Sequence, residues 1–92
     1  MKSKNQRQMI KLVQVVLEHD QYHLREIIIN SAHITSIIPD DSMAGLNVNG
    51  KLPEGLHEAQ QFSKITFINS EEIIAVGNPE MIGKKSKNIL HG

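Results

Sequence analysis

The residues best suited to chemistry in this chain are histidines and carboxylates, because its 92 residues include no cysteine. His19 and His23 lie on either side of Asp20, and imidazole nitrogen and carboxylate oxygen are ordinary zinc ligands. A spacing of four residues brings two histidines together on a helix, whereas in a hairpin their separation depends on the strand register. Since residues 19–22 have the composition of a turn, we favour exposed turn histidines over a metal site, and we expect no metal and no cofactor.

Two pairs of neighbouring acids, Asp40-Asp41 and Glu71-Glu72, are the other candidates for acid–base chemistry or for cation binding. Neighbouring acids in turns are usually solvated, and we favour that interpretation here. No serine lies in a nucleophile-elbow pattern, and the glycine-rich loops that cradle phosphates are missing from the sequence. The chain is therefore expected not to be an enzyme.

The formal net charge of zero hides an uneven distribution. Residues 1–11 hold four basic residues and residues 83–92 hold three, with no acid in either segment. The other three bases and all ten acids lie in residues 12–82, so the body is acidic and the ends are basic. Basic ends suit contact with RNA, DNA or an acidic partner, although solvated tails commonly have this composition too. The residues that would contact nucleic acid are Lys2, Lys4, Arg7, Lys84, Lys85 and Lys87.

Most of the chain is predicted to form strands, because β-branched residues pack well in a sheet and lose rotamer freedom in a helix. Five segments have this composition: residues 10–17, 24–30, 34–38, 63–68 and 72–76. Short polar segments join the first two strands and the last two, as expected of hairpins. Residues 30–33 are expected to form a tight turn or a single helical turn.

A helix is predicted to begin at Pro79. Gly77 releases the last strand, Asn78 can cap a helix with its side chain, and proline fits the first helical position. Gly83 then predicts a short or broken helix. The expected fold class is mainly β (α+β): a small antiparallel sheet or half-barrel of about five strands with a long inserted loop and a short C-terminal helix.

The domain organisation follows from these elements. Residues 9–82 are expected to form a single β domain, with a basic N-terminal tail at residues 1–8 and a basic C-terminal tail at residues 83–92. The basic and then apolar N-terminus lacks the uninterrupted apolar core and cleavage site of a signal peptide, and no segment approaches the length of a membrane span. Together with the absence of cysteine, this favours a cytoplasmic location.

Four sequence segments resemble the small FlbD-like flagellar and swarming-motility proteins and related short phage-borne and bacterial β proteins. They are MIKLVQ (residues 9–14), INSAHITSI (29–37), ITFINSEEIIAV (65–76) and GNPEMI (77–82). The chain departs from that pattern in its extended first hairpin, its basic N-terminal extension and the insertion of residues 40–62. The resemblance implies a regulatory or interaction protein and supplies no catalytic residues.

The insertion of residues 40–62 is the strongest candidate for a partner-binding surface. It holds apolar residues among three glycines, and exposed apolar residues on a loop tend to mark interfaces. Packing of the same residues on their own domain is an equally open alternative. A short helix is predicted to begin within residues 53–61. The predicted contact residues are Met43, Leu46, Val48, Leu52 and Leu56.

The function expected from the sequence is a non-enzymatic small regulatory or inhibitory binding protein, of a kind found in phages, that acts through protein–protein contact. An open sheet edge would also favour a homo-oligomer. One alternative is a nucleic-acid-associated regulator that uses the basic tails. Another is an oligomer that sequesters a nucleotide or other small molecule in a pocket between subunits.

Overall fold

The structure, a computed structural model, describes the backbone of residues 8–91 and the side chains of residues 8–85. One turn of 3-10 helix, Ser31–His33, separates the second and third of five strands. In chain order the strands and α-helices are β1 (Met9–Glu18), β2 (Gln21–Asn30), β3 (Ile34–Pro39), α1 (Asp41–Val48), β4 (Phe62–Phe67), β5 (Glu72–Val76) and α2 (Pro79–His91). The predicted class, mainly β with five strands and a short C-terminal helix, is confirmed.

The predicted first hairpin is formed by β1 and β2. Their register is uninterrupted from Met9 opposite Asn30 to Glu18 opposite Gln21. The connecting residues, His19 and Asp20, have positive φ angles of 52° and 65°, and positive φ at both turn positions matches the right-handed twist of paired strands. Aspartate tolerates this region because its short polar side chain can hydrogen-bond locally. The turn therefore fixes the register that the sequence left open.

All five strands belong to one antiparallel sheet in the order β2-β1-β5-β4-β3. The two edge strands, β2 and β3, are separated in the chain by only the three residues Ser31–His33. Edges joined by so short a segment must converge at that end, so the sheet curls while staying open. Asn30 holds this corner, since its side chain accepts a hydrogen bond from the Ala32 amide at 2.9 Å.

Both faces of the sheet are packed, because successive side chains in a strand point to opposite sides. The first face carries a buried cluster of Ile10, Leu12, Ile65, Ala75 and, from α2, Ile82. The second face carries a smaller buried cluster of Val15, Phe62 and, from the segment after α1, Leu52. α2 therefore covers the first face, and part of residues 40–62 covers the second.

The C-terminal helix α2 begins where the sequence predicts. Asn78 caps it by accepting a hydrogen bond from the Met81 amide at 2.8 Å, and Pro79 is its first residue. The helix continues through Gly83 to its end at His91. The predicted break is therefore wrong, and the helix includes most of the segment predicted to be a basic tail. A glycine inside a helix costs only about 1 kcal/mol relative to alanine, which does not require an interruption.

Residues 40–62, predicted to be a long loop, contain the helix α1. The side chain of Asp40 caps it by accepting a hydrogen bond from the Met43 amide at 3.0 Å. At its end the two hydrogen bonds of a Schellman motif form, with Gly50 at a φ of 76°. The helix predicted to begin within residues 53–61 is wrong, because those residues form turns after α1 has ended.

Candidate functional site

The segment predicted to bind a partner, residues 40–62, lies against the second face of the sheet. Leu52 is buried with 8 % exposure, and Met43 and Leu56 are half-buried against the same cluster. Leu46 is also half-buried. Leu52, Met43 and Leu56 therefore pack on their own domain, which is the alternative that the composition left open.

Val48 is the most accessible of the predicted contact residues. It is 60 % exposed at the last position of α1. The segment after it is held in place, since the Asn47 side chain donates to the His57 carbonyl and the Gly77 amide donates to the Gln61 carbonyl, both at 2.8 Å. A segment held in one conformation loses little entropy on binding, so Val48 suits a contact surface.

The sheet has an open edge at β2. Within the part of the chain that the structure describes, this strand of ten residues pairs only with β1. Ile28 and Leu17 of this hairpin are 62 % and 56 % exposed, and the register places them opposite Lys11 and Tyr22, on the second face. Val48, Ile28 and Leu17 therefore lie on the same side of the sheet. We call these three residues, which are spread over that side, the second-face patch.

The histidine and aspartate cluster of the first hairpin does not assemble into a metal site. His19 and Asp20 form the exposed turn, whereas His23 lies opposite Val16 in β2. Among the side chains of residues 8–85, no group of three or more histidine, cysteine, aspartate or glutamate residues is placed to hold a metal ion. Even in the folded hairpin, the side chains of His19, Asp20 and His23 do not converge.

The two pairs of acids lie at the start of a helix and at the start of a strand. Asp40 is the N-cap of α1, and Asp41 lies in its first turn, where a carboxylate interacts favourably with the positive end of the helix dipole. Glu71 and Glu72 are exposed at the start of β5, where the Glu71 amide donates to the Asn69 side chain at 3.0 Å. Asp40 and Asp41 therefore serve the start of a helix, whereas the carboxylates of Glu71 and Glu72 lie at the surface.

The basic residues proposed for nucleic acid contact are only partly within the described chain. Lys2, Lys4 and Arg7 lie outside the described residues, as does the side chain of Lys87. Lys84 and Lys85 are exposed on α2. Lys85 and Lys11 line one cleft of about 240 Å³, so the fold brings together two cations that are far apart in the sequence.

Two larger clefts lie at opposite ends of the β3–β4 pair. One, of about 340 Å³, lies between the starts of α1 and α2. The other, of about 450 Å³, lies between the Ser31–His33 turn and the turn that joins β4 to β5, and we call it the corner cleft. The sequence predicts both turns of the corner cleft, each introduced by an asparagine. It does not show that they meet, because this depends on the pairing of Ile34 with Phe67.

Across residues 8–91, no helix combines the length and the apolar character needed to cross a membrane.

Comparison with known proteins found no similar protein. No protein-family model, no curated protein and no solved structure matches the chain.

Proposed function

We propose that this chain is a non-enzymatic binding protein whose protein partner contacts the open edge of β2 and the second-face patch. The observation that carries the proposal is a ten-residue edge strand with exposed apolar side chains beside it. The outer backbone amides and carbonyls of such a strand can pair with a strand of another chain. Exposed apolar side chains next to that edge add contact area that water solvates poorly.

The proposed role is regulatory or inhibitory, because a small binding domain can act by occupying a surface of its partner. The resemblance to FlbD-like proteins and to short phage-borne β proteins supports the same class. We also propose a cytoplasmic location, for which the cysteine-free sequence is the support.

A second copy of this chain is one partner that can use the same edge. Two β2 strands can pair antiparallel across a twofold axis, and both copies would then lose their open edge. Multi-angle light scattering over a range of concentrations tests this assembly. A concentration-dependent rise to twice the chain mass supports a homodimer, and a constant monomer mass excludes it.

Partner binding is tested by using two variants of this chain as baits to capture proteins. Each variant lacks different exposed apolar side chains. Ile28→Thr with Val48→Thr keeps the β-branched shape while removing apolar contact from the second-face patch. Met81→Gln removes a side chain that is 55 % exposed on α2, over the other face. We expect a specific partner in mass spectrometry of captured proteins to be lost from the first bait and retained by the second. Equal capture by the two baits would contradict the proposal.

Nucleic acid binding is a second candidate, favoured by the shared cleft of Lys11 and Lys85. Backbone phosphates bound by lysines release counterions, so affinity should fall steeply with added salt. Fluorescence anisotropy with a single-stranded RNA oligonucleotide measures this, comparing the native chain with Lys11→Gln/Lys85→Gln. A steep salt dependence that the double variant reduces supports this function, whereas a flat response in both proteins rules it out.

A further inference from the structure

The corner cleft has the size of a small-molecule site and lies at the end of β2, where Ile29 and Asn30 line it. Its volume of about 450 Å³ falls within the range of about 300–1,000 Å³ typical of ligand pockets. In the β3–β4 pair, Ile34 lies opposite Phe67 at the cleft end, and Pro39 lies opposite Ser63 at the end from which residues 40–62 begin. The cleft therefore adjoins the last residues of β2 and lies at the opposite end of the β3–β4 pair from the start of residues 40–62.

Backbone hydrogen bonds fix the walls of the corner cleft. The Ile68 amide donates to the His33 carbonyl at 2.9 Å, which joins the 3-10 turn to the end of β4. The Phe67 amide donates to the Glu71 carbonyl at 2.9 Å and closes the turn between β4 and β5. A cleft whose walls are already ordered loses little conformational entropy when a ligand binds.

Two asparagine side chains in the cleft have fixed orientations. The Oδ1 atom of Asn30 accepts a hydrogen bond from the Ala32 amide at 2.9 Å, and that of Asn69 accepts one from the Glu71 amide at 3.0 Å. Because each oxygen is engaged in its own turn, each carboxamide keeps its Nδ2 group as a donor. Both asparagines line the cleft, so its lining side chains include two N–H₂ groups available as donors.

The remaining lining residues combine an apolar floor with two polar groups. Ile29, Phe67 and Ile68 supply the apolar area, and Phe67 adds an aromatic ring. His33 and Glu71 are exposed lining residues, and a carboxylate such as that of Glu71 accepts hydrogen bonds without donating any. An aromatic and aliphatic floor bordered by donors and an acceptor suits a flat heteroaromatic ring with polar edges.

We propose that the corner cleft binds a purine base of a nucleoside or nucleotide, and guanine in preference to adenine. The base lies against Phe67 and Ile68, while its oxygen and ring nitrogen acceptors receive hydrogen bonds from the two asparagine Nδ2 groups. The Glu71 carboxylate accepts hydrogen bonds from N–H groups of the base. Guanine offers N1–H and the 2-amino group to one carboxylate, whereas adenine offers a single amino group, so guanine satisfies more of the lining groups.

The test is an NMR titration of the full-length ¹⁵N-labelled chain with guanosine and adenosine, which carry no phosphate that exposed lysines would attract. We expect saturable shifts of the amides of Asn30, His33 and residues 67–71, with tighter binding of guanosine. Asn69→Asp keeps an oxygen acceptor for the Glu71 amide but removes the donor. It should weaken guanosine binding about tenfold, the effect of losing one good hydrogen bond.

Asn49→Asp is the matched control, because it makes the same charge change at an exposed residue after α1. It should leave guanosine affinity unchanged. If Asn69→Asp does not give a dispersed spectrum, Asn30→Asp tests the second donor in the same way. The proposal is overturned if guanosine at concentrations up to about 1 mM, which would detect a weak affinity, gives no saturable shifts at the cleft, or if the cleft and control variants bind guanosine equally.

Discussion

Two buried serines in this small domain differ in whether their hydroxyl groups form a hydrogen bond. Ser63 is fully buried in β4, and its hydroxyl donates to the Gly77 carbonyl at 2.7 Å. Ser31 is buried at the corner between β2 and β3, where its Oγ atom forms no hydrogen bond with any described residue. A buried polar group is favourable when it is paired and unfavourable when it is not, so one substitution should have opposite effects at these positions.

Ser63→Ala should lower the free energy of unfolding by about 1–2 kcal/mol, because it leaves the Gly77 carbonyl without its partner. Ser31→Ala should leave stability unchanged or raise it by up to about 1 kcal/mol, because it removes an unsatisfied hydroxyl. Urea denaturation monitored by circular dichroism measures both. A loss at Ser31→Ala as large as that at Ser63→Ala would show that the Ser31 hydroxyl has a partner in the folded protein.

Residue-level signals predicted local structure well where the hydrogen-bonding group is close in the chain. Asn78 and Pro79 correctly marked the start of α2, because a cap and its first turn involve only neighbouring residues. Equivalent local signals lie at Asp40, which caps α1, and at the Asn49-Gly50 pair that ends it, but neither was predicted. The glycines of the insertion were interpreted as loop residues, and the C-terminal signal at Gly50 was missed for that reason.

At the scale of elements, Gly45 and Gly50 of α1 occupy different backbone conformations. Gly50 has a φ of 76°, which is strained for other residues, while Gly45 lies within the helix with nothing within 4 Å of an added Cβ. Gly50→Ala should destabilise the domain by about 1 kcal/mol, and Gly45→Ala should stabilise it by about 0.5–1 kcal/mol. Thermal melting of both variants checks the assignment of α1. Equal melting temperatures would contradict the helix end at residues 49–50.

The attachment of α2 to the sheet depends on one side of the helix. Ile82 is 1 % exposed in the first-face cluster, whereas its neighbour Met81 is 55 % exposed. Ile82→Ala should cost about 2–4 kcal/mol because it leaves a cavity, and Met81→Ala should change stability by less than about 0.5 kcal/mol. Chemical denaturation distinguishes them. Similar losses for both variants would mean that α2 does not pack on the sheet through Ile82.

For the whole molecule, the sequence predicted the sheet but not the surfaces that the sheet creates. The sequence predicts both Leu52 and Val48 as contact residues. Only their positions relative to the second face show that Leu52 is buried and Val48 is exposed. The proximity of Lys11 to Lys85 and the meeting of two turns at the corner cleft also depend on long-range pairing. Strand composition indicates that strands form, whereas their order in the sheet decides which side chains meet.

The uneven charge distribution also belongs to this scale. All ten acids lie in residues 12–82, while the basic residues concentrate at the two ends of the chain. A partner that contacts the acidic body would experience a different potential from one that contacts the ends. Salt dependence of binding is therefore a property that separates the protein-binding proposal from the nucleic-acid candidate.

The proposed contact at the β2 edge is tested most directly by hydrogen exchange of the chain alone and in complex with its captured partner. Unpaired edge amides exchange rapidly in the free chain and slow down when a partner strand pairs with them. We expect new protection in β2 and around Val48, with β4 and α2 unchanged. Protection confined to α2 or β3, with β2 amides exchanging as fast as in the free chain, would contradict the account.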